Sequence, residues 1–155
     1  MSGTKNAGAG TVFAPMAGTA VGLDRVPDAV FSEKVLGDGL AIIPKDGRVF
    51  SPVDGEVSSV AETLHAYGFS SRDGLEVLVH VGLDTVALKG KGFRVHVKAG
   101  DKVRVGDLVA EVNLALLKGE GIDPITPVLV CEGGEDKAME LVAGPVKAGD
   151  AVMFP

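Results

Sequence analysis

The sequence predicts an all-β protein of short strands, arranged as a sandwich or a closed barrel. Glycine accounts for 22 of the 155 residues and aromatic residues for only 5%. This glycine content is roughly twice the usual share and is typical of a chain with many tight turns. The sequence contains two short internal repeats, called echoes below, in which a turn signal lies between valine-rich segments. No segment carries a helical apolar stripe of ordinary length.

The first echo relates the segment that begins at Val12 to the one that begins at Val49, 37 residues later. Each segment has Val-Phe, then a proline (Pro15 or Pro52), then a glycine (Gly18 or Gly55) and a new apolar run. Proline and glycine at these places predict a strand, a turn and a second strand in both copies. The repeat therefore predicts two related sets of strands around one core.

A second, shorter echo relates Val97–Val103 to Val146–Val152. Both contain Lys-Ala-Gly-Asp between valines, which is a tight-turn signature between strands. Only two stretches, Leu83–Lys89 and Leu114–Lys118, are predicted to form a turn or two of helix, with Asp84 in the opening turn of the first.

Composition excludes several classes of protein. With 46% apolar and 23% charged residues, the chain is expected to fold and not to be disordered. The first ten residues lack an apolar run and are predicted to be a disordered tail, followed by one domain over 11–155. The net charge of −6 argues against nucleic acid as a partner. No apolar window is long enough to insert into a membrane. Cys131 is the one cysteine, so no internal disulfide can form; it is predicted to be buried and inert, which is compatible with a reducing cytoplasm.

The stretch Gly74–Val86 carries the strongest functional pattern. Read as a strand, it places Leu75, Val77, Val79 and Val81 on one apolar face, and Glu76, Leu78 and His80 on the other. His80 ends the strand just before Gly82, so the strand holds the ring while the chain turns away. A lone histidine on a strand is more often a structural residue than a reactive one, and both interpretations stay open on spacing alone.

A second histidine, His65, reduces the weight of the structural interpretation. If its segment is extended, Thr63 and His65 share a face, and the hydroxyl can bind one imidazole nitrogen. The intervening Ser-Ser-Arg-Asp-Gly is a strong turn signal, so a hairpin should bring His65 and His80 onto neighbouring strands. His96 has no supporting motif and is predicted to be solvated or structural.

At this point the chain resembles the glucose-type enzyme IIA of the bacterial phosphoenolpyruvate-dependent sugar phosphotransferase system. Gly74–Val86 is similar to the phosphorylation-site signature of that family, and further landmarks extend the resemblance from about Thr11 to the end. These landmarks are Val26–Leu40, Ser51–Glu56, Glu62–Ala66 and Val103–Asp107. Leu64 departs from the family pattern, in which Asn is expected. The resemblance implies an antiparallel β-sandwich with barrel-like character, built by duplication.

The resemblance also implies roles for the two histidines. His80 would be phosphorylated on Nε2, with its Nδ1–H held by a backbone carbonyl near Gly82. His65 would donate a hydrogen bond to the phosphoryl oxygens, with Thr63 holding its other nitrogen. The phosphoryl donor would be the carrier protein HPr, and the acceptor a cysteine of a membrane transporter's IIB domain. A regulatory role that reports sugar supply to other proteins would be an addition to this activity.

Around the histidines the family pattern implies a docking surface for these partners. Asp28 and Asp84 would attract a cationic donor and repel the phosphoryl group, although each also fits a turn or helix-start aspartate. An apolar rim around the site is expected from residues that could equally be core: Val30, Phe31, Leu64, Phe69, Leu78 and Val81. No metal or other cofactor is required, although His65 and His80 could recruit Zn²⁺ at an interface if a partner added a carboxylate.

Two other classes of protein use similar β-folds. A zinc hydrolase of the lysostaphin type needs a His-x-His pair, but Leu78 and Gly82 stand on either side of His80. A biotinyl or lipoyl carrier needs a lysine in a Met-Lys-Met-like hairpin tip, and the chain has no such triplet. The sequence does not identify the imported sugar, because the enzyme IIA subunit of this family does not contact sugar.

Overall fold

The computed structural model describes residues 10–133 and 139–155. Fourteen strands form in this part of the chain, and every strand pairing within it is antiparallel. The strands are β1 (Val12–Phe13), β2 (Gly18–Gly22), β3 (Asp38–Pro44), β4 (Arg48–Phe50), β5 (Gly55–Val60), β6 (Ala66–Ser71), β7 (Glu76–His80), β8 (Phe93–Val95), β9 (Lys102–Val103), β10 (Leu108–Val112), β11 (Thr126–Glu132), β12 (Glu140–Leu141), β13 (Gly144–Val146) and β14 (Ala151–Phe154). The predicted all-β class is confirmed.

The helices are short. They are α1 (Ala29–Ser32), α2 (Leu114–Gly119) and two 3₁₀ helices, Leu23–Arg25 and Thr85–Leu88. The last 3₁₀ helix and α2 lie where the sequence predicted helical turns. Helix α1 was not predicted, although Asp28 gives it an ordinary N-cap by accepting a hydrogen bond from the Val30 backbone at 3.0 Å.

One large sheet carries His80 at the end of β7, and His65 immediately precedes the neighbouring strand β6. Its eight strands follow the order β13-β2-β3-β11-β7-β6-β5-β9, and two three-stranded sheets, β1-β14-β12 and β4-β10-β8, complete the fold. The inner face of the large sheet packs into the main core, where Tyr67 and Phe69 are fully buried. This arrangement is the sandwich with barrel-like character implied by the resemblance.

The outer face of the large sheet is covered at its centre by a second, smaller apolar cluster. Alternation along β11 shows the division, since Val128 and Val130 belong to the main core and Leu129 to the outer cluster. Phe31 from α1 belongs to the outer cluster as well. His80 therefore projects from a face of the sheet that is partly covered by packed side chains.

The duplication predicted from the first echo is visible in the backbone pairing. Phe13 donates to the Pro52 carbonyl at 2.9 Å, and Phe50 donates to the Pro15 carbonyl at 2.8 Å. Each residue of one bond lies 37 positions from its counterpart in the other, so the two copies contact each other reciprocally. The bonds join the two Pro-containing segments of the duplication.

The second echo forms two tight turns between strands, as the sequence predicted, but the two turns are not equivalent in the duplication. The turns at Lys98–Asp101 and Lys147–Asp150 are alike, because each aspartate accepts a hydrogen bond from its lysine's backbone N–H. In the backbone pairing that relates the two copies, however, the counterpart of the turn Lys147–Asp150 is the turn Arg104–Asp107. The first turn forms hydrogen bonds with Ala14 and the second with Ser51, and Ala14 and Ser51 lie 37 positions apart. The equivalent turn thus has a different sequence, Arg-Val-Gly-Asp.

Of the predicted tail, only Gly10 belongs to the described residues. Residues 1–9 lie outside the described residues, while Gly10 donates its backbone N–H to the Asp73 carboxylate at 3.1 Å. Among the described residues, no helix combines the length and apolar character needed to cross a membrane.

Candidate functional site

His80 stands at the end of β7 with its tautomer set by the backbone. Its Nδ1 lies 2.9 Å from the carbonyl oxygen of Gly82. A carbonyl oxygen can only accept, so Nδ1 carries the hydrogen and Nε2 keeps its lone pair. The ring is half-buried, whereas the neighbouring Val77 and Val79 are fully buried on the opposite face, as the alternation predicted.

Gly82 is required at its position for two reasons. Its φ of +78° lies in the left-handed region. A Cβ at this position would lie 2.6 Å from the Thr85 hydroxyl oxygen and 3.1 Å from the Asp123 carbonyl oxygen. Thr85, which the sequence did not single out, is fully buried and donates its hydroxyl to the Val81 carbonyl at 2.7 Å, which closes the turn after β7.

We expect Gly82→Ala to destabilise the protein and to disturb His80. The φ penalty of about 1 kcal/mol adds to an overpacking cost of about 1–3 kcal/mol. Chemical denaturation measures the sum, and Gly149→Ala is the matched control because Gly149 has a φ of +91° and open space around its missing Cβ. A loss for Gly82→Ala no larger than for Gly149→Ala would show that the crowding around Thr85 is unimportant.

His65 is positioned by a turn and not by an extended segment, which corrects the predicted geometry. Leu64 has a φ of +66°, and its backbone N–H donates to the Ala61 carbonyl at 2.8 Å. Asn tolerates this left-handed conformation better than Leu does, which gives a physical reason for Asn in the family pattern. The buried Tyr67 supports the turn by donating its hydroxyl to the Leu64 carbonyl at 2.7 Å.

The predicted contact between Thr63 and His65 nevertheless forms. The Thr63 hydroxyl oxygen lies 2.8 Å from Nδ1 of His65. If the hydroxyl donates, Nδ1 accepts, and the hydrogen of the neutral ring is then on Nε2. The His65 side chain is buried, with 6% of its surface exposed.

The two rings lie together, as the hairpin predicted. Their centroids are 4.8 Å apart and the ring planes are nearly perpendicular, at 87°. Register explains the proximity, because Ala66 in β6 is opposite His80 in β7, and Val81 donates its backbone N–H to the His65 carbonyl at 2.7 Å. The backbone of each histidine is thus tied to the strand of the other.

Burial keeps both imidazoles neutral near pH 7. Burial lowers the pKa of His65, with a smaller opposing effect from the Thr63 backbone. Burial also lowers the pKa of His80, and the nearby His65 lowers it further, while the Gly82 carbonyl and Asp28 oppose the shift. A neutral His80 with Nδ1–H bound to a carbonyl presents a nucleophilic Nε2.

The two predicted acids lie on different parts of the site. Asp28 is half-buried, caps α1 and acts electrostatically on His80. Asp84 is exposed, has a φ of +59° at the start of the 3₁₀ helix Thr85–Leu88, and makes no side-chain cap hydrogen bond there. Asp28 therefore has a structural role at α1 in addition to any electrostatic one.

The predicted apolar rim is corrected in three places. Val81 is fully buried because it continues the inward-facing valine row of β7, and Phe69 is fully buried in the main core. Phe31 is only 4% exposed, since it packs in the outer cluster with its ring centroid 5.0 Å from that of His80. It lies against the reactive ring and offers little surface to a partner.

Of the remaining rim residues, Leu64 and Leu78 are half-buried and Val30 is 43% exposed. The structure adds exposed apolar side chains that the sequence interpretation missed, on elements that continue from residues near His80: Val35, Leu36 and Val86. Helix α1 and the following turn, where Val35 donates to the Val30 carbonyl at 3.2 Å, present the first two. The Asp28 N-cap is a signal that could have indicated a turn of helix here, with Val30 on its surface.

The other reactive side chains give weaker candidates for a functional site. Within residues 10–133 and 139–155, no three His, Cys, Asp or Glu side chains are grouped as metal ligands. Cys131 is half-buried, not fully buried as predicted, and burial raises the pKa of its thiol. His96 is exposed and its Nε2 lies 2.7 Å from a Glu111 carboxylate oxygen, in line with a structural or solvated residue.

The comparison with known proteins identifies the family. The family described as "phosphoenolpyruvate-dependent sugar phosphotransferase system, EIIA 1" matches residues 10–135. The chain belongs to this EIIA family. The match includes both histidines and every other site residue discussed above.

Individual EIIA relatives agree with the match. The chain is 48% identical over 119 residues to the PTS system glucose-specific EIIA component of Halalkalibacterium halodurans, covering 77% of this chain and 69% of that one. It is 45% identical over 148 residues to the PTS system glucose-specific EIICBA component of Staphylococcus carnosus, covering 96% of this chain but 22% of the relative. The chain thus spans about a fifth of the length of that relative.

A solved structure shows the same fold. Glucose permease IIA from Mycoplasma capricolum superimposes with a TM-score of 0.85 at 39% sequence identity, covering 92% of this chain and 93% of that one. EIIA membership and this fold favour neither the zinc hydrolase nor the biotinyl or lipoyl carrier considered from the sequence.

Proposed function

We propose that this EIIA protein is a cytoplasmic phosphocarrier that holds a phosphoryl group on Nε2 of His80. It takes the group from phosphohistidine on HPr and passes it to a cysteine of a membrane permease's IIB domain. The observation that carries the proposal is the hydrogen bond from Nδ1–H of His80 to the Gly82 carbonyl, at 2.9 Å. It leaves Nε2 as the nucleophile in a ring that is half-buried and kept neutral.

The first transfer needs no proton movement at His80. The Nε2 lone pair attacks phosphorus, the donor's N–P bond breaks, and the donor imidazole keeps the electron pair. Phosphorylated His80 then has phosphorus on Nε2 and hydrogen on Nδ1, so the ring becomes cationic, and the Gly82 carbonyl stabilises this charge. In the second transfer the IIB thiolate attacks phosphorus, and the electron pair of the breaking N–P bond returns to Nε2.

His65 supports the transferred group. With Thr63 donating to Nδ1, the Nε2–H of His65 is a hydrogen-bond donor next to the reacting ring, at a centroid distance of 4.8 Å. Phosphoryl transfer depends mainly on positioning and on stabilising charge on the equatorial oxygens. A fixed, neutral donor supplies both without attracting the phosphoryl group as strongly as a cation would.

Partner docking uses the surface around α1 and the turn after β7. The exposed Val30, Val35, Leu36 and Val86 form an apolar contact surface, and the charge of Asp28 and Asp84 favours a cationic donor protein. Relatives in which an EIIA segment is part of an EIICBA chain support a permease as the acceptor. The names of the relatives in H. halodurans and M. capricolum favour glucose as the imported sugar.

Reconstitution tests the proposal. Incubation with phosphoenolpyruvate, enzyme I and HPr should place one acid-labile, alkali-stable phosphate on the protein. Addition of a IIB domain should then remove that phosphate onto cysteine. The proposal would be overturned if the protein took up no phosphate although HPr was active, or if the phosphate were found on serine or threonine.

We expect phosphoryl acceptance to persist below pH 6.5, the ordinary pKa of histidine. The lowered folded-state pKa keeps the Nε2 lone pair of His80 free at a pH where an exposed imidazole is protonated. This expectation is checked by stopped-flow or quenched-flow measurements of phosphoryl uptake from phosphorylated HPr at different pH values. A loss of uptake already at pH 6.5 or above, without loss of HPr reactivity, would contradict it.

The same shifts make stability depend on pH. Between the lowered folded-state pKa values and 6.5 the unfolded chain binds more protons, so the free energy of unfolding falls as the pH falls through this window. Above 6.5 the contribution is fully present. The double variant His65→Gln/His80→Gln should flatten this slope in urea titrations.

A further inference from the structure

A cleft with a cationic lining lies at the opposite end of the β6–β7 hairpin from the histidines. Its volume is about 730 Å³, and Arg72, Lys102 and Arg104 contribute to its wall together with Ser71, Glu56 and Asp107. Strand β6 runs from Ala66, which is opposite His80, to Ser71 at the cleft. At about 3.3 Å per residue the two ends are roughly 17 Å apart, so the cleft is separate from the phosphoryl site.

The two arginines of the cleft have no carboxylate partner. Within the described part of the chain, Arg72 and Arg104 take part in none of the ion pairs. The two carboxylates of the wall are already engaged: Glu56 lies 3.5 Å from the Lys102 ammonium, and Asp107 accepts the Arg104 backbone N–H at 2.9 Å. The guanidinium groups therefore remain available to a ligand.

The local charge contrasts with that of the whole chain. Three cations and two carboxylates give the wall a net charge of +1, while the whole chain carries −6. Ser71 adds a hydroxyl whose oxygen already accepts from the backbones of Asp73 and Leu75, at 3.2 and 3.0 Å, so its hydrogen can be donated. The cleft thus offers an anion directional donors and a local positive charge, although the net charge of the chain is negative.

We propose that this cleft binds a phosphate monoester. Guanidinium groups match the oxygens of phosphate in bidentate geometry, and the Lys102 ammonium and the Ser71 hydroxyl supply further donors. The cleft has the volume of sites that hold small organic ligands, so the ester can carry a group of sugar size. Glu56, once Lys102 turns to the phosphate, can accept hydrogen bonds from hydroxyls of that group.

The test is a titration of the full chain, ¹⁵N-labelled, with a hexose 6-phosphate and with inorganic phosphate. Saturable amide shifts should be confined to Ser71, Arg72 and the Lys102–Arg104 segment. Arg72→Gln/Arg104→Gln should weaken binding at least ~10-fold, since it removes charge-assisted hydrogen bonds. Equal binding by this variant would overturn the proposal, and so would absence of saturable shifts together with absence of binding to the phosphatidic acid vesicles described below.

The matched control is Arg94→Gln/Lys118→Gln, which removes two exposed positive charges elsewhere. It should bind like the original chain, and an equal loss in both double variants would reduce the effect to net charge and overturn the proposal. Unchanged thermal unfolding of Arg72→Gln/Arg104→Gln shows that the variant is folded. If it unfolds, Arg72→Lys and Arg104→Lys, which keep the charge but lose the fork, should still weaken binding, and unchanged affinity in both would overturn the proposal.

Two sources of the ester are distinguishable. Sedimentation with vesicles containing phosphatidic acid identifies a lipid headgroup, and titration by the hexose phosphate without sedimentation identifies a soluble metabolite. Either result supports a phosphate-monoester site, and failure of both overturns it. His80→Gln should bind the ester unchanged, so the outcome is independent of the phosphocarrier proposal.

Discussion

His80→Gln is expected to abolish phosphoryl uptake from phosphorylated HPr. Glutamine keeps much of the side chain's volume and polarity but has no nucleophilic nitrogen, so uptake should fall by at least ~10³-fold, as when other nucleophiles are removed. Phosphate incorporation measured by intact mass or radiolabel after rapid mixing checks this. Half-burial of the ring at the end of β7 should leave the fold intact.

The matched control for this experiment is His96→Gln. The chain has three histidines, and His96 is the one that lies away from the pair, where it contacts Glu111. His96→Gln should take up phosphate at the original rate and to the original extent. Retained uptake in His80→Gln, with uptake lost in His65→Gln, would mean that the two roles are exchanged.

His65→Gln is expected to separate acceptance from delivery. The nucleophile and its Gly82 carbonyl remain, so phosphate should still reach His80. Transfer to the IIB cysteine should slow by ~10²–10³-fold, the usual cost of losing one preorganised donor to the reacting group. Single-turnover transfer from purified phosphoprotein to a IIB domain measures this step directly.

Thr63→Val gives a finer version of the same experiment. It removes the hydroxyl that lies 2.8 Å from Nδ1 of His65 but leaves the imidazole in place. Loss of one neutral hydrogen bond corresponds to about 1 kcal/mol, so transfer should slow by roughly 5-fold. Delivery that is unaffected in both variants would show that His65 only fills space beside His80.

Much of the site follows from local sequence rules. Alternation along β7 placed Val77 and Val79 inward and His80 outward, and the Ser-Ser-Arg-Asp-Gly turn brought His65 beside it. Both rules depend only on neighbours in the chain, which is why they could be applied without a structure. The same holds for the first echo, whose two copies begin new strands at Gly18 and Gly55.

The surface around the site could not be predicted in the same way. Val81, Phe31 and Val30 are all apolar and close in sequence to motif residues, yet their exposed fractions are 0%, 4% and 43%. Which of them reaches solvent depends on what α1 and the outer cluster cover. Helix α1 is one turn long, too short to give an apolar periodicity.

The sequence by itself determined the class of fold and the strand face from which His80 projects, because side-chain alternation and turn chemistry act over a few residues. The contact of Thr63 with His65 was predicted from an extended segment, but it forms across the turn at Leu64. Only the tertiary structure decided the 4.8 Å separation of the rings and the correspondence of Lys147–Asp150 with Arg104–Asp107. Those features depend on hydrogen bonds and packing between segments far apart in the chain, and a local pattern contains no information about which distant segment will cover it.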